Sequence, residues 1–169
     1  ARGIALDDPK RNYKDPNHKP ELILALTPFD ALCGIRDYPQ IAAILTNFKI
    51  SPFYVNAVKF CQNQDQDSFQ TLFEEILAGP KPGLSQHLLQ YEGTTEYTDE
   101  LNTARSLLQY YPDDPFVIAP FIMNLIHLQP SEAIFLAAGI PHAYLRGAGV
   151  EIMAASDNVL RAGLTPKHV

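Results

Sequence analysis

Residues 129–145 read QPSEAIFLAAGIPHAYL, which is a turn, a short apolar run, a second turn and another apolar run. Each apolar run is too short for an ordinary helix and is bounded by proline, glycine or serine, so the stretch predicts two short strands. Further apolar runs lie on either side of it, at residues 116–128, 150–154 and 159–164. Several short strands at this spacing are typical of a β-sandwich or a β-barrel.

The middle of the chain follows a different period. Thr27 is a plausible helix N-cap and Pro28 suits the first helical position, so a helical region is predicted to begin there. The helical apolar stripes that follow lie within residues 41–48, 69–77 and 101–111. Their spacing of three to four residues predicts several short amphipathic helices whose apolar faces are buried.

An apolar run at residues 22–26 precedes this helical region and predicts one more buried strand. The chain is therefore expected to leave a sheet near Leu26 and to return to it near Phe116. We predict an α+β fold in which a helical domain, residues 28–112, is inserted into a β domain formed by residues 1–27 and 113–169.

Composition excludes several classes of protein. The chain has 169 residues, of which 46% are hydrophobic and 19% charged, as in soluble globular domains. Pro120 and Asn124 interrupt the longest apolar stretch, which disfavours a membrane span. A net charge of −6 with scattered basic residues disfavours general nucleic-acid binding. Cys33 and Cys61 lack any metal-binding spacing and are interpreted as reduced packing residues, which indicates a cytoplasmic protein.

The turn Gly139-Ile140-Pro141 directly precedes His142. Such a turn fixes the backbone, so that the imidazole would project from the start of a strand. A neutral imidazole is a good zinc ligand. From this window alone, a histidine that only forms hydrogen bonds near a turn is an equally good interpretation.

Four windows together indicate a family. Residues 129–145 resemble the second cupin motif, with Gly139 and His142 at the matching spacing, although Ser131 and Ala137 replace its usual glycine and proline. The windows YKDPNHKPE (13–21) and LTPFDALCGIR (26–36), and above all GVEIMAASDNVLRAGLTPKHV (149–169), resemble type I mannose-6-phosphate isomerases, also called phosphomannose isomerases. The resemblance implies cupin-type β strands with an inserted all-helical domain.

That resemblance also implies a zinc enzyme that interconverts mannose 6-phosphate and fructose 6-phosphate, with a small phosphosugar as partner. Glu21 and His142 match two of the four protein zinc ligands of the family. The other two come from a Gln-x-His motif upstream of the glutamate, and no such motif precedes Glu21 here. We therefore expect a central portion of the enzyme with an incomplete Zn²⁺ site, and little activity from the 169-residue chain alone.

The remaining roles are expectations for an enzyme of this kind, and the resemblance itself supplies only that of Arg161. Arg161 matches the catalytic arginine, and Lys19 with Asp157 is the favoured proton-carrying pair. The rivals for proton transfer are His18 and Glu151, which together with Lys167 are expected to contact substrate. Each of these residues also has a plainer interpretation, as a solvated charge, a turn cap or a strand-face carboxylate.

Two other functions compete with this hypothesis. The chain could be a non-catalytic cupin and helical module that binds a partner, as the missing zinc ligands would suggest. It could also be another metal-dependent cupin, such as an iron oxygenase, although the NHKPE run at residues 17–21 argues against that. His87, His127 and His168 have no motif around them that indicates more than packing or surface roles.

Overall fold

The computed structural model describes residues 17–93, 96–156 and 159–165. Its strands are β1 (Glu21–Ala25), β2 (Phe29–Ile35), β3 (Met123–Leu128), β4 (Ala133–Leu136), β5 (His142–Arg146) and β6 (Gly149–Met153). Its helices are α1 (Tyr38–Asn47), α2 (Val55–Asn63), α3 (Gln66–Leu77), α4 (Leu84–Gln90), α5 (Thr98–Tyr110), a 3-10 helix (Pro115–Ile118) and α6 (Ala119–Ile122). The predicted combination of helices and short strands, an α+β fold, is confirmed.

By its internal contacts the chain divides into two compact units. Unit 1 consists of residues 1–34 and 126–161, and unit 2 consists of residues 35–125 and 162–169. Within the described part of the chain, no helix is both long and apolar enough to cross a membrane.

The six strands form two small sheets, and most of their residues belong to unit 1. One has the strand order β4-β1-β6, and the other has the order β3-β2-β5. β1 is antiparallel to both of its neighbours, with Glu21 opposite Leu136 on β4 and Met153 on β6. Since side chains alternate along a strand, Glu21 shares a face with Ile23 and Ala25, which are buried in the core of this unit.

The helix predicted to begin at Pro28 is wrong, because residues 29–35 form strand β2. β2 pairs with β5, and Phe29 and Ala31 are buried in the core. The Thr27 side chain does not cap a helix, since its Oγ1 accepts a hydrogen bond from the Ala148 N–H at 2.9 Å. Long-range strand pairing therefore overrides a plausible local capping signal.

The first helix begins at Tyr38 instead, after the N-cap Asp37, whose side chain accepts a hydrogen bond from the Gln40 N–H. Two predicted strands also need correction. Within residues 116–128 only Met123–Leu128 is a strand, because the preceding residues form the 3-10 helix and α6. The described residues 159–165 contain no strand at all.

Unit 2 is helical, and the three predicted apolar stripes lie on α1, α3 and α5. α3 begins with a reciprocal capping box between Asp65 and Ser68. Hydrogen bonds from the Ser68 hydroxyl and backbone N–H lower the pKa of the Asp65 carboxyl. The largest buried side chains of this unit are aromatic, including the stacked pair Phe48 and Phe121, whose ring centroids lie 4.7 Å apart.

Candidate metal centre

Glu21, the first residue of β1, is a carboxylate that is only 9% exposed. Its Oε1 lies 3.2 Å from Lys19 Nζ, and its Oε2 lies 3.0 Å from His142 Nε2. Burying an ionised carboxylate costs free energy unless opposite charges or a metal ion compensate. Glu21 therefore indicates a site that is built around a cation.

The imidazole of His142 is oriented by the turn that precedes it. Its Nδ1 lies 3.0 Å from the carbonyl oxygen of Ile140, so Nδ1 carries the proton that it donates to that oxygen. This leaves Nε2 to face Glu21. A histidine that ligates a metal commonly donates its other ring N–H to a carbonyl in this way, which fixes its tautomer.

Glu151 on β6 completes a cluster with these two residues. The ligand atoms of Glu21, His142 and Glu151 all lie within 4.8 Å of one another. Glu151 is opposite Ile23 in the register of β1 and β6, and so it lies on the same sheet face as Glu21. Two carboxylates on one face repel each other unless positive charge lies between or beside them.

Tyr144 is a member of the site that sequence reasoning missed. Its hydroxyl donates a 2.6 Å hydrogen bond to Glu151 Oε1, and its ring contacts that of His142 at a centroid distance of 5.5 Å. Burial, then the hydrogen bond to Glu151 and the negative charges of Glu151 and Glu21, raise the pKa of the Tyr144 hydroxyl. The available signal was the spacing of two residues from His142, which places both side chains on one face of a strand.

The donor set suits zinc. Zinc prefers imidazole nitrogen and carboxylate oxygen, and two ligands of one tetrahedral ion, each about 2.1 Å from it, lie roughly 3.4 Å apart. The 3.0 Å separation between Glu21 Oε2 and His142 Nε2 is close to that value. A neutral imidazole with its proton on Nδ1 would otherwise place a lone pair against a carboxylate oxygen, an arrangement that a cation between them would relieve.

Only some of the predicted site residues lie in this cluster. The structure brings Glu21, His142, Lys19 and Glu151 together, whereas His18 and Arg161 are exposed and do not belong to this cluster. Asp157 and Lys167 lie outside the described residues. Glu151, which was expected to contact substrate, also lies where a carboxylate could bind the metal.

Comparison with known proteins places this geometry in context. The family model for the catalytic domain of type I phosphomannose isomerases matches residues 2–38. Mannose-6-phosphate isomerase of Escherichia coli is 40% identical over the whole of this chain, and that of Homo sapiens is 36% identical. The chain spans about 43% of the length of the first of these relatives and 44% of the second.

Solved structures agree with the sequence comparison. A lysine-to-alanine mutant of phosphomannose isomerase from Salmonella typhimurium has a TM-score of 0.81 and 40% identity, over 99% of this chain and 43% of that one. A zinc-bound mannose 6-phosphate isomerase gives a TM-score of 0.79 at the same identity and coverage. The predicted resemblance is confirmed, and so is the predicted fold class of cupin-type strands with an inserted helical domain.

Proposed function

We propose that this chain, which resembles the type I mannose-6-phosphate isomerases along its whole length, is the part of such an enzyme that supplies Glu21 and His142 to a catalytic zinc site. The observation that carries the proposal is the 3.0 Å approach of a buried carboxylate oxygen to an oriented imidazole nitrogen. In a chain that is 40% identical to named isomerases, this pair is better interpreted as two zinc ligands than as an isolated ion pair.

The proposed reaction is the interconversion of mannose 6-phosphate and fructose 6-phosphate, in which a proton moves between C2 and C1 of the open-chain sugar. When bound, zinc would act as a Lewis acid that stabilises negative charge on the sugar oxygens. Arg161 is proposed to stabilise the enediolate, because a guanidinium ion stays charged and does not itself exchange protons. A small phosphosugar is thus the proposed partner, in preference to nucleic acid or a membrane.

The proton carriers are proposed to be Lys19 and Asp157. Lys19 is largely shielded from solvent, with a side chain 14% exposed, and its Nζ already contacts Glu21. That contact keeps its amine beside the metal ligand pair, where a positioned group can exchange a proton with substrate. His18, Glu151 and Lys167 are proposed to bind substrate hydroxyls or phosphate.

Location and domain limits are also part of this proposal. A cytoplasmic protein is supported by Cys33 and Cys61, neither of which is in a disulfide among the described residues. We further propose that residues 28–112 form the inserted helical domain of the enzyme apart from strand β2 at their start, with residues 1–27 and 113–169 in its cupin domain.

The first experiment measures zinc affinity and isomerase activity together, in the longest natural chain that contains these residues. Glu21→Gln and His142→Gln each remove one proposed ligand with little change in size. Even removal of a group that only supports a ligand costs zinc sites about ten- to a hundred-fold in affinity, so each variant should lose at least about a hundred-fold. His127→Gln is the matched control, because His127 is a half-exposed histidine paired with Asp30 and lies outside the cluster.

Two outcomes would contradict the proposal. Unchanged zinc affinity in Glu21→Gln and His142→Gln would remove the metal site, and a zinc-loaded parent without isomerase activity would favour the non-catalytic module. The 169-residue polypeptide assayed alone should bind zinc weakly and turn over little substrate, since no Gln-x-His motif precedes Glu21. Substantial turnover by that polypeptide would mean that a different set of ligands completes the site.

A further inference from the structure

The hydroxyl of Tyr144 and the carboxylate of Glu151 form a hydrogen bond that joins the two small sheets. Tyr144 lies on β5 and Glu151 on β6, which belong to different sheets, and both residues belong to unit 1. The O–H donates to Glu151 Oε1 at 2.6 Å, within the short range of hydrogen bonds to an ionised acceptor. Such bonds are about twice as strong as neutral ones, so this one restrains where the carboxylate points.

The tyrosine ring that carries this hydroxyl is held by two aromatic neighbours. Phe29, a core residue of unit 1, meets it edge-on at a centroid distance of 5.4 Å. The imidazole of His142, two residues earlier on β5, lies at a centroid distance of 5.5 Å. Packed neighbours limit the rotamers that a ring can adopt. The Tyr144 hydroxyl is therefore a fixed donor beside one of the proposed zinc ligands.

Glu151 is close enough to the proposed zinc ligands to bind the same ion. The ligand atoms of Glu21, His142 and Glu151 lie within 4.8 Å of one another, and ligands of one tetrahedral zinc lie roughly 3.4 Å apart. A small movement of the Glu151 carboxylate would thus suffice. A catalytic zinc keeps an open position, however, and a further carboxylate would fill it and offset the positive charge on which Lewis-acid catalysis depends.

We propose that Tyr144 is a positioning residue that holds Glu151 off the metal ion, so that one coordination position stays open to substrate. The inference rests on the proposed function, which places zinc at Glu21 and His142. The Tyr144 hydroxyl occupies a lone pair of Glu151 Oε1 that a metal ion would otherwise take. The same restraint keeps the carboxylate beside the ion as an acceptor for sugar hydroxyls, which is the role proposed for Glu151.

The direct test is Tyr144→Phe in the longest natural chain that contains these residues. This change removes the hydroxyl and keeps the ring against Phe29 and His142. Removing an ordinary supporting partner of a ligand lowers zinc affinity by about ten- to a hundred-fold. Here the sign should be opposite, because the freed carboxylate becomes an additional ligand. Zinc affinity per folded molecule, measured by competition with a chelator, should rise about ten-fold, since a hydrogen bond to a charged group no longer competes.

Two further measurements separate this restraint from a general loss of structure. A carboxylate in the open position reduces the fraction of enzyme that can bind substrate there, so KM for mannose 6-phosphate should rise about ten-fold while kcat changes less. With Co²⁺ in place of zinc, the visible absorption of Tyr144→Phe should differ from that of the parent, because a carboxylate replaces solvent on the ion.

Tyr91→Phe is the matched control. It also removes a tyrosine hydroxyl, one that donates to the Asn47 carbonyl oxygen at 2.9 Å and lies outside the cluster. Zinc affinity, the Co²⁺ spectrum, KM and kcat should all stay at the parent values.

Glu151→Ala shows whether the effect of Tyr144 passes through Glu151, because alanine offers no ligand atom. Adding Tyr144→Phe to Glu151→Ala should change zinc affinity by less than about two-fold. Unchanged or lower zinc affinity in Tyr144→Phe, or a rise that persists in the double variant, would overturn the inference while the zinc site survives. A parent without isomerase activity would instead overturn the proposed function, and the zinc and Co²⁺ measurements would still decide the role of Tyr144.

Discussion

The two units of this protein bury different kinds of side chain. Among the described residues, the largest fully buried side chains lie almost all in unit 2, and Leu32 is the member of that set that lies in unit 1. Unit 1 instead buries the carboxylate of Glu21, with Lys19 and His142 against it. Unit 1 therefore combines an apolar core with a costly polar cluster that packing alone would not select, whereas the buried side chains of unit 2 are almost all apolar.

This difference separates what stabilises the protein from what is proposed to perform its chemistry. Apolar burial favours folding in proportion to area, whereas a buried ion pair often contributes little to net stability. A protein retains such a cluster when the charges are needed for binding or catalysis. Substitutions in the aromatic core of unit 2 should thus change stability without changing zinc affinity. Substitutions in the cluster around Glu21 should lower zinc affinity with little change in stability.

The strongest test of that division is Phe48→Ala. Phe48 is fully buried, stacked on Phe121, and in edge contact with Tyr91 at a centroid distance of 5.2 Å. Truncating a buried phenylalanine leaves a cavity and costs about 3–5 kcal/mol in the free energy of unfolding. Chemical denaturation should show a loss of this size, whereas zinc affinity per folded molecule should stay at the parent value.

Phe135→Ala is the control for that experiment. Phe135 lies on β4 in unit 1 and is 64% exposed, so its truncation should change stability by no more than about 0.5 kcal/mol. A Phe48→Ala protein that keeps its stability, or one that loses zinc affinity although it is folded, would show that the two units do not divide their roles as described.

The same division explains which features the sequence could predict. The helices of unit 2 bury apolar stripes such as Ile41, Ile44 and Leu45. A stripe with helical period can be recognised in the sequence without knowing which residues it packs against. His142 was found because a local turn precedes it, and Glu21 because a family motif contains it. In both cases the informative residues are neighbours in sequence.

The features that sequence reasoning missed depend on contacts between distant segments. Residues 29–35 form a strand because β5, more than a hundred residues later, pairs with them, and Thr27 binds Ala148 rather than capping a helix. Tyr144 joins the site through a side-chain hydrogen bond to Glu151, which lies on a strand of the other sheet. No local pattern contains the pairing of β2 with β5, since strand register is fixed by the folded sheet.

A smaller effect is expected at a polar contact between α3 and α2 in unit 2. The Glu75 carboxylate of α3 accepts hydrogen bonds from the Val55 and Asn56 N–H groups at the start of α2, at 3.1 and 2.9 Å. Lys81 Nζ lies 3.6 Å from it. Glu75→Ala removes this cap and should cost about 1–2 kcal/mol in the free energy of unfolding.

Glu74→Ala provides the comparison for Glu75, because Glu74 is the preceding glutamate on α3 and its carboxylate accepts its hydrogen bond from the exposed Gln70. Its loss should be within about 0.5 kcal/mol. Equal effects of the two substitutions would show that the Glu75 carboxylate does not stabilise α2, and that polar contacts contribute little to unit 2.

The smallest effect at neutral pH is expected for Tyr54→Phe. Tyr54 is fully buried, and its hydroxyl is a buried polar group without a hydrogen-bond partner among the described residues. Burying an unpaired hydroxyl costs about 1–3 kcal/mol, so its removal should leave stability unchanged or raise it by about 1 kcal/mol. Thermal unfolding at pH 7 would measure this, and a clear loss of stability would reveal a partner for the hydroxyl.

Alkaline pH should amplify the difference between parent and Tyr54→Phe. Burial, and then the negative charge of Glu75, raise the pKa of the Tyr54 hydroxyl above its ordinary value of 10.0. The folded protein therefore keeps this proton at a pH where the unfolded chain releases it, so the parent should lose stability as pH rises above about 10. Tyr54→Phe has no such proton, and the gap between the two unfolding curves should widen from pH 9 to 11. A constant gap would mean that Tyr54 ionises as readily in the fold as in water, which would contradict its burial in an apolar core.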